Sequence, residues 1–232
     1  RWVKDLNLIK SRLIYEILEF YVNMQFLAAD IIGVQSKGNL KFVQKKIFFK
    51  SNKVTVLNNW LSQTKIDKCK LNLLNSKFKR KRIVIYSGNM GISQGMETLI
   101  GLANSMRNNT DIVFLFIGRG TEYLKSKNIC KEIGLQNVVF EDEIPSSQIF
   151  DLYTKCLCGL LVLDKKHKTH NIPGKLLSYL RAGLPVFAIV NKKNDLIKLV
   201  NENQVGFATD NFDMSEAYIN FEKFLNNIQK DY

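Results

Sequence analysis

Apolar positions along the chain follow two different rules before and after residue 82. Over residues 12–28, Leu13, Ile17, Phe20/Tyr21, Met24 and Leu27/Ala28 recur at helical spacing, with Arg12, Glu16, Glu19 and Asn23 on the other side, which predicts one long helix. A short strand is expected over 30–34, a basic helix capped by Ser36 over 37–46, and a second short strand over 53–57 that runs into Asn58-Asn59-Trp60. This α-β-α-β run is too small to complete a sheet. Residues 62–81, rich in Lys and Asn and without a clear period, read as a connection.

From Arg82 the pattern turns regular. Apolar runs at 83–86, 112–117, 138–140, 157–163, 185–190 and 206–208 alternate with amphipathic stretches near 95–107, 121–133, 146–155, 174–182, 194–203 and 214–229. Six strands alternating with helices imply right-handed βαβ units and a doubly wound parallel sheet. The run Ile112-Val-Phe-Leu-Phe-Ile117 lacks two-residue alternation, as befits a strand covered on both faces.

Composition adds little to this until charge is located. The 232 residues are 46% apolar and 24% charged, ordinary globular values, and no apolar run approaches the roughly 18 residues of a membrane span. Residues 1–82 hold eighteen Lys/Arg against five acids, which accounts for the whole net charge of +13, while residues 83–232 balance to zero. A field of one sign favours an anionic partner: a phospholipid surface, a lipid-linked phosphate or nucleic acid. Phe42, Phe48 and Phe49, interleaved with these cations, fit base stacking or core positions alike. Cys69, Cys130, Cys156 and Cys158 read as small core residues of a reduced, cytoplasmic protein.

In an open parallel sheet, ligands bind beyond the carboxyl ends of the strands. After the first of the six strands, Ser87 through Gly95 enter a helix, with Gly88 and Gly91 placed to let the backbone approach a phosphate. The spacing is neither G-x-G-x-x-G nor a P-loop, and no acid ends the second strand, which argues against a nicotinamide cofactor. The second strand ends in Gly118-Arg119-Gly120, and the third in Glu141-Asp142-Glu143-Ile144-Pro145, an acidic trio expected on a solvated rim. After the fourth come His170-Asn171-Ile172-Pro173-Gly174-Lys175, with Pro173 suited to a first helical turn. Lys175 in that turn opposes the helix dipole unless an anion lies beside it, and such a conflict marks a functional site. His167 and His170 have no acidic or thiol partner at metal-binding spacing, so no metal site is expected.

Several ordered motifs carry a resemblance. Tyr86-Ser-Gly-Asn-Met-Gly-Ile-Ser-Gln-Gly95, Phe116-Ile-Gly-Arg-Gly120, Val138-Val-Phe with Ile144-Pro145, and Ile172-Pro-Gly-Lys-Leu-Leu-Ser-Tyr-Leu-Arg-Ala-Gly-Leu-Pro-Val186 resemble the C-terminal, nucleotide-sugar-binding domain of retaining GT-B glycosyltransferases of family four. The branch most alike builds O-antigen, capsule and exopolysaccharide, including fucosamine-type transferases. Ala29-Asp30-Ile-Ile-Gly-Val-Gln-Ser36 and Lys53-Val-Thr-Val-Leu-Asn-Asn-Trp60 resemble the end of the N-terminal domain of such enzymes. The resemblance implies the end of an acceptor-side domain over 1–60, a linker over 61–81 and a Rossmann-like donor domain over 82–232.

What it implies for the site is specific. Gly88, Asn89, Gly91, Gln94, Gly118, Arg119, Ile144, Gly174, Lys175 and Ser178 would hold the nucleotide and its diphosphate, and His170, Asn171, Ile172 and Pro173 the sugar. The family commonly places two cations on the diphosphate from the first loop, where this chain has Asn89 and Gln94, and a Glu-x7-Glu pair where it has His170 and Ser178. The diphosphate would then fall to Lys175, with Arg119 and backbone N–H groups near Gly91 and Gly174. The implied reaction is metal-independent transfer, with retention, from a UDP- or GDP-linked sugar to a lipid-linked saccharide, on the cytoplasmic side and against an anionic membrane, with no cofactor and no nucleic acid. Most of the N-terminal domain and the C-terminal crossover would lie outside these residues, so the piece is expected to bind nucleotide and catalyse poorly alone. A sugar-nucleotide 2-epimerase and a noncatalytic nucleotide or nucleic-acid binding module are the alternatives; the first normally needs several carboxylates and histidines around the donor.

Overall fold

A computed structural model describes residues 9–46, 53–61, 65–71 and 78–228. The first helix, α1 (Arg12–Ala28), starts at Ser11, whose Oγ accepts from the Ile14 N–H at 3.4 Å. It leads to β1 (Ile32–Val34), α2 (Lys37–Lys46) and β2 (Val54–Val56). Ser36 caps α2 as expected, accepting from the Asn39 N–H at 3.2 Å. The two strands pair in parallel, Gly33 opposite Thr55. Their small core is Ile32 and Val54 against Phe26, Ala29, Val34, Leu40 and Val43. The rest of α1 leaves its apolar residues in solvent: none is buried, and Leu13 and Phe20 are 67% and 62% exposed.

The larger unit runs β3 (Arg82–Ser87), α3 (Met96–Ser105), β4 (Ile112–Ile117), α4 (Tyr123–Glu132), β5 (Val138–Glu141), α5 (Ser146–Tyr153), β6 (Cys158–Val162), α6 (Gly174–Arg181), β7 (Val186–Ile189), α7 (Asp195–Glu202), β8 (Gly206–Thr209) and α8 (Met214–Ile228). Its six strands are all parallel in the order β5-β4-β3-β6-β7-β8. The winding reverses between β3 and β6, and a doubly wound sheet opens its ligand crevice at that switch point.

Alternate residues explain why these strands read as unbroken apolar runs. Val84 and Tyr86 pack with Leu99 of α3 and Phe221 of α8, while Ile83 and Ile85 pack with Leu152, Leu176 and Leu196 on the other face. Each such side chain contributes about 1.5–3 kcal/mol on burial. Cys130 and Cys158 lie buried in the first cluster and Cys156 packs against the second; all four cysteines are free.

The helices run one to three residues shorter at an end than periodicity implies, because the terminal residues join turns. Gly183, at φ +68°, closes the turn after α6. Phe48, Phe49 and Gln229 lie outside the described residues. The expected connection is not a free strap where it is described. The Asp67 N–H donates to the Ser147 carbonyl at 2.9 Å, the Cys69 N–H to the Asp151 carboxylate at 2.8 Å and the Lys70 N–H to Gln148 Oε1 at 3.0 Å. Phe78, only 2% exposed, plugs the second core cluster, an anchor that a search for apolar clusters passes over because it stands alone in sequence.

Candidate functional site

The ends of β3 and β4 approach more closely than side chains allow. The Gly88 N–H donates to the Ile117 carbonyl at 2.9 Å, and a Cβ on Gly118, at φ +144°, would lie 2.0 Å from the Gly88 oxygen. Only glycine fits there. The two loops are then laced: the Met90 N–H donates to Arg119 O at 2.7 Å and the Glu122 N–H to Met90 O at 2.9 Å.

Beside them a cavity of about 360 Å³ opens at the switch point, lined by Ser87, Gly88, Ile117, Gly118, Glu143, Ile144, Ser146, Ile149, Tyr153, Lys175 and Ser178. Lys175 is its decisive group. It is the second residue of α6, its Nζ is buried without a hydrogen-bond partner, and the ammonium rests 3.6 Å above the centre of the Tyr86 ring. The ring face supplies a cation–π contact but no acceptor. Burial brings the Lys175 pKa down to about 7, and the positive end of the α6 dipole acts in the same direction. An anion at this point would meet the unpaired ammonium and the opening N–H groups of α6 together.

The walls are rigid. The Tyr86 hydroxyl donates to the Asn89 carbonyl at 2.6 Å and lies 3.4 Å from Gln94 Oε1, which fixes the ring under Lys175. Ser87 Oγ and the Tyr153 hydroxyl are 2.5 Å apart, and the Ser87 N–H donates to the Tyr179 hydroxyl at 3.2 Å. Burial pushes the Tyr153 hydroxyl up to about 12 and the Tyr86 and Tyr179 hydroxyls well above the ordinary tyrosine value, so all three are neutral donors at pH 7.

Of the residues singled out in the sequence, Gly88, Gly118, Ile144, Lys175 and Ser178 converge on this cavity. Asn89, Gly91 and Gln94 belong to the loop beside it, where Asn89 is exposed and Gln94 steadies Tyr86. Arg119 does not line it; its Nε is 2.8 Å from Glu143 Oε2 at the rim. Glu143, its side chain 55% exposed, is a carboxylate of the rim as its sequence neighbours imply, paired there with Arg119. Gly174 opens α6 where the expected stretch begins, and Pro173 takes the cap position just before the first turn it was expected to join.

His170, Asn171 and Ile172 lie outside this cavity, on a loop held by its backbone. Five side-chain amide and hydroxyl groups converge on the carbonyls of residues 169–172. Ser36 Oγ and Asn39 Nδ2 donate to His170 O at 3.4 and 3.0 Å, Asn59 Nδ2 to Ile172 O at 2.9 Å, Asn191 Nδ2 to Thr169 O at 3.1 Å and Asn194 Nδ2 to Asn171 O at 3.4 Å. The His170 ring lies against Gly38, where a Cβ would sit 2.3 Å from its Nδ1, and 3.4 Å from Asp195 Oδ1. Asp195 Oδ2 in turn accepts from the Gly38 N–H at 2.6 Å. This loop fastens the first unit to the second, and His170 and Ile172 line a separate groove of about 990 Å³ between α2 and α7. Sequence reasoning missed Tyr86, Glu143 and the Asn39–Asp195 fastening; the sole advance sign was Tyr86 standing directly before Ser87-Gly88. Among the described residues no group of three or more His, Cys, Asp or Glu could hold a metal ion.

Known proteins share the sequence pattern and the fold. The family model described as glycosyl transferases group 1 matches residues 74–231. WcaI of Escherichia coli K12, named for glycosyl transfer in colanic acid biosynthesis, is 28% identical over 103 residues, covering 44% of this chain and 25% of that protein. WbjE of Pseudomonas aeruginosa, named as a glycosyltransferase, is 20% identical over 204 residues, covering 85% of this chain and 50% of the relative. The chain thus spans a quarter to a half of the length of these relatives. A variant of TarM from Staphylococcus aureus, crystallised with fondaparinux, alpha-GlcNAc-glycerol and UDP, has a similar fold at a TM-score of 0.69 and 13% identity, over 91% of this chain and 40% of that one.

Proposed function

Since this chain belongs to the group 1 glycosyl transferases, we propose that the cavity at the switch point binds the diphosphate of a nucleotide sugar and that the protein serves glycosyl transfer. The observation that carries this is the buried, unpaired ammonium of Lys175 at the start of α6. Taking a charge out of water without a partner is costly, so such a group persists where a ligand completes it. In transfer, the departing diphosphate gains negative charge as the sugar carbon becomes cationic, and a preorganised ammonium beside helix N–H groups stabilises that charge. Ile144 and Ser178 line the cavity and would meet the nucleoside, and Glu143, paired with Arg119 at the rim, would take the part of the carboxylate missing at Ser178. One lining carboxylate falls short of the several that an epimerase needs.

The finer reading is transfer with retention, on the cytoplasmic side, to a lipid-linked saccharide of a surface polysaccharide such as O-antigen or capsule. The basic first third, the fucosamine-type motifs and the likeness to a colanic-acid protein support it. No helix among the described residues is long and apolar enough to cross a membrane; contact with an anionic membrane would be made from its surface.

Thermal-shift titration against UDP, GDP, ADP and CMP tests the donor site. A ligand at a hundred times its dissociation constant stabilises the native state by about 2.7 kcal/mol. UDP or GDP is expected to raise Tm selectively, with the rise lost in Lys175→Ala. A rise that survives that substitution, or none with any nucleotide in the wild type, removes the proposal.

A further inference from the structure

We infer that Tyr86 is a positioning residue of the donor cavity: its ring face keeps the Lys175 ammonium charged and aimed at the ligand's place before any ligand arrives. Lys175 Nζ lies 3.6 Å from the ring centre, well within the reach of a cation–π contact, and it has no hydrogen-bond partner. The ring is 0% exposed, so the contact is made away from water, where such an attraction is strongest. Its far end is tied, the hydroxyl donating to the Asn89 carbonyl at 2.6 Å and lying 3.4 Å from Gln94 Oε1. The two loop residues therefore reach Lys175 through the ring. Gly88 leaves the flank of the ammonium open, since a Cβ there would come within 3.9 Å of Nζ.

The neighbouring ionisable groups are all spoken for. The turn after β3, residues 87–95, holds no charged side chain. Glu143, from the loop after β5, is paired with Arg119 at 2.8 Å. Burial keeps the Tyr153 hydroxyl of α5 and the Tyr179 hydroxyl of α6 neutral. Arg181 of α6 lies over the Phe150 ring at 5.4 Å, and His170, before that helix, faces Asp195 at 3.4 Å. Asp164, after β6, accepts from the Lys166 N–H at 2.8 Å and lines a different pocket. The Tyr86 phenol is itself held neutral by burial, so the ring attracts through its face and not as a phenolate.

Burial and the ring pull in opposite directions. Burial disfavours the ammonium and brings its titration to about 7, whereas the ring face favours it. A group titrating there responds sharply to its contacts: one unit lower leaves about a tenth of the molecules charged at pH 7 in place of about half. On the reading proposed above, on which the role in binding rests, the ring decides how much of the protein stands ready for a diphosphate.

Fluorinated phenylalanines at position 86 test this, because each fluorine draws charge from the ring face while nearly keeping its shape. The series in the 232-residue chain is Tyr86→Phe, then the 4-fluoro, 3,5-difluoro and 3,4,5-trifluoro side chains. The titration of Lys175 without ligand is followed by the Cε carbon shift of labelled lysine, its signal identified by loss in Lys175→Met. Tyr86→Phe is expected to keep the midpoint, and three fluorines to lower it by about one unit in graded steps. Should the last variant fail to fold, the first two fluorines carry the trend. Affinity is then measured at pH 7 and pH 5.5 for UDP-glucose and GDP-mannose, whose esterified diphosphates keep a fixed charge across that range. For whichever binds, three fluorines should weaken affinity about fivefold at pH 7 and less than about twofold at pH 5.5, where the ammonium is largely charged in both proteins. A midpoint indifferent to fluorine, with nucleotide binding that still needs Lys175, overturns the role of Tyr86 and leaves the donor site standing. Affinity falling equally at both pH values makes the ring a matter of shape and overturns the role as well. A graded midpoint in a chain that binds neither sugar nucleotide upholds the hold on Lys175 and removes the donor reading.

Discussion

Lys175 shows how one side chain can oppose stability and serve binding. In the unfolded chain a lysine titrates near 10.4, whereas burial brings this one to about 7. Between those values the unfolded chain carries a proton that the native protein lacks, so stability rises with pH from about 7 to 10; below 7 both states are charged and the full penalty is felt. Lys175→Met, which keeps the packing on Tyr86 and discards the charge, is expected to stabilise the protein by about 1–3 kcal/mol at pH 6. Its stability curve should lose that rise while nucleotide binding fails. Denaturant titrations at pH 6 and pH 9 read this directly. Ligand affinity runs the other way, because an anion needs the ammonium: it should fall by up to tenfold per unit above pH 7, with proton uptake measurable at pH 8 by calorimetry in two buffers.

At the level of elements, α2 and the loop before α6 form one joint. Its weakest tolerance is at Gly38, where any Cβ meets the His170 ring. Gly38→Ala should loosen the first unit by about 1–3 kcal/mol, the usual range for overpacking. Hydrogen exchange should quicken at β1 and β2 while β3 to β8 keep their protection. Local pattern made the six strands legible, since burial on both faces leaves the mark Ile112-Val-Phe-Leu-Phe-Ile117, and Ser36 was readable as a cap from its own neighbourhood. The candidate site was half legible. Glycines at strand ends and a lysine against a helix dipole announce themselves in sequence; Tyr86 under Lys175 and Arg119 on Glu143 do not. Those pairs, and the joint built from Asn39 and Asp195, join residues distant in the chain or hidden among ordinary neighbours. Nothing in a linear pattern says that His170 faces a helix 131 residues earlier, as its bonds with Asn39 do.

Taken whole, the molecule is uneven in both charge and finish. Its basic first third carries the groove and also α1, whose Leu13, Phe20 and Tyr21 are more than half exposed, and contiguous apolar surface of that kind marks association. Leu13→Glu with Phe20→Lys is expected to reduce self-association in sedimentation runs. The main unfolding transition should move by less than about 0.5 kcal/mol, because neither side chain is buried.

The asparagines and serine that grip residues 169–172 hold backbone oxygens, and a carbonyl is the same whichever side chain it carries. Apart from His170, whose ring packs on Gly38 beside Asp195, that segment can therefore exchange its side chains through evolution while staying fastened in place. Natural variation should concentrate there, on a stretch that lines the groove between α2 and α7, where a new side chain alters what is recognised without asking the fold for permission.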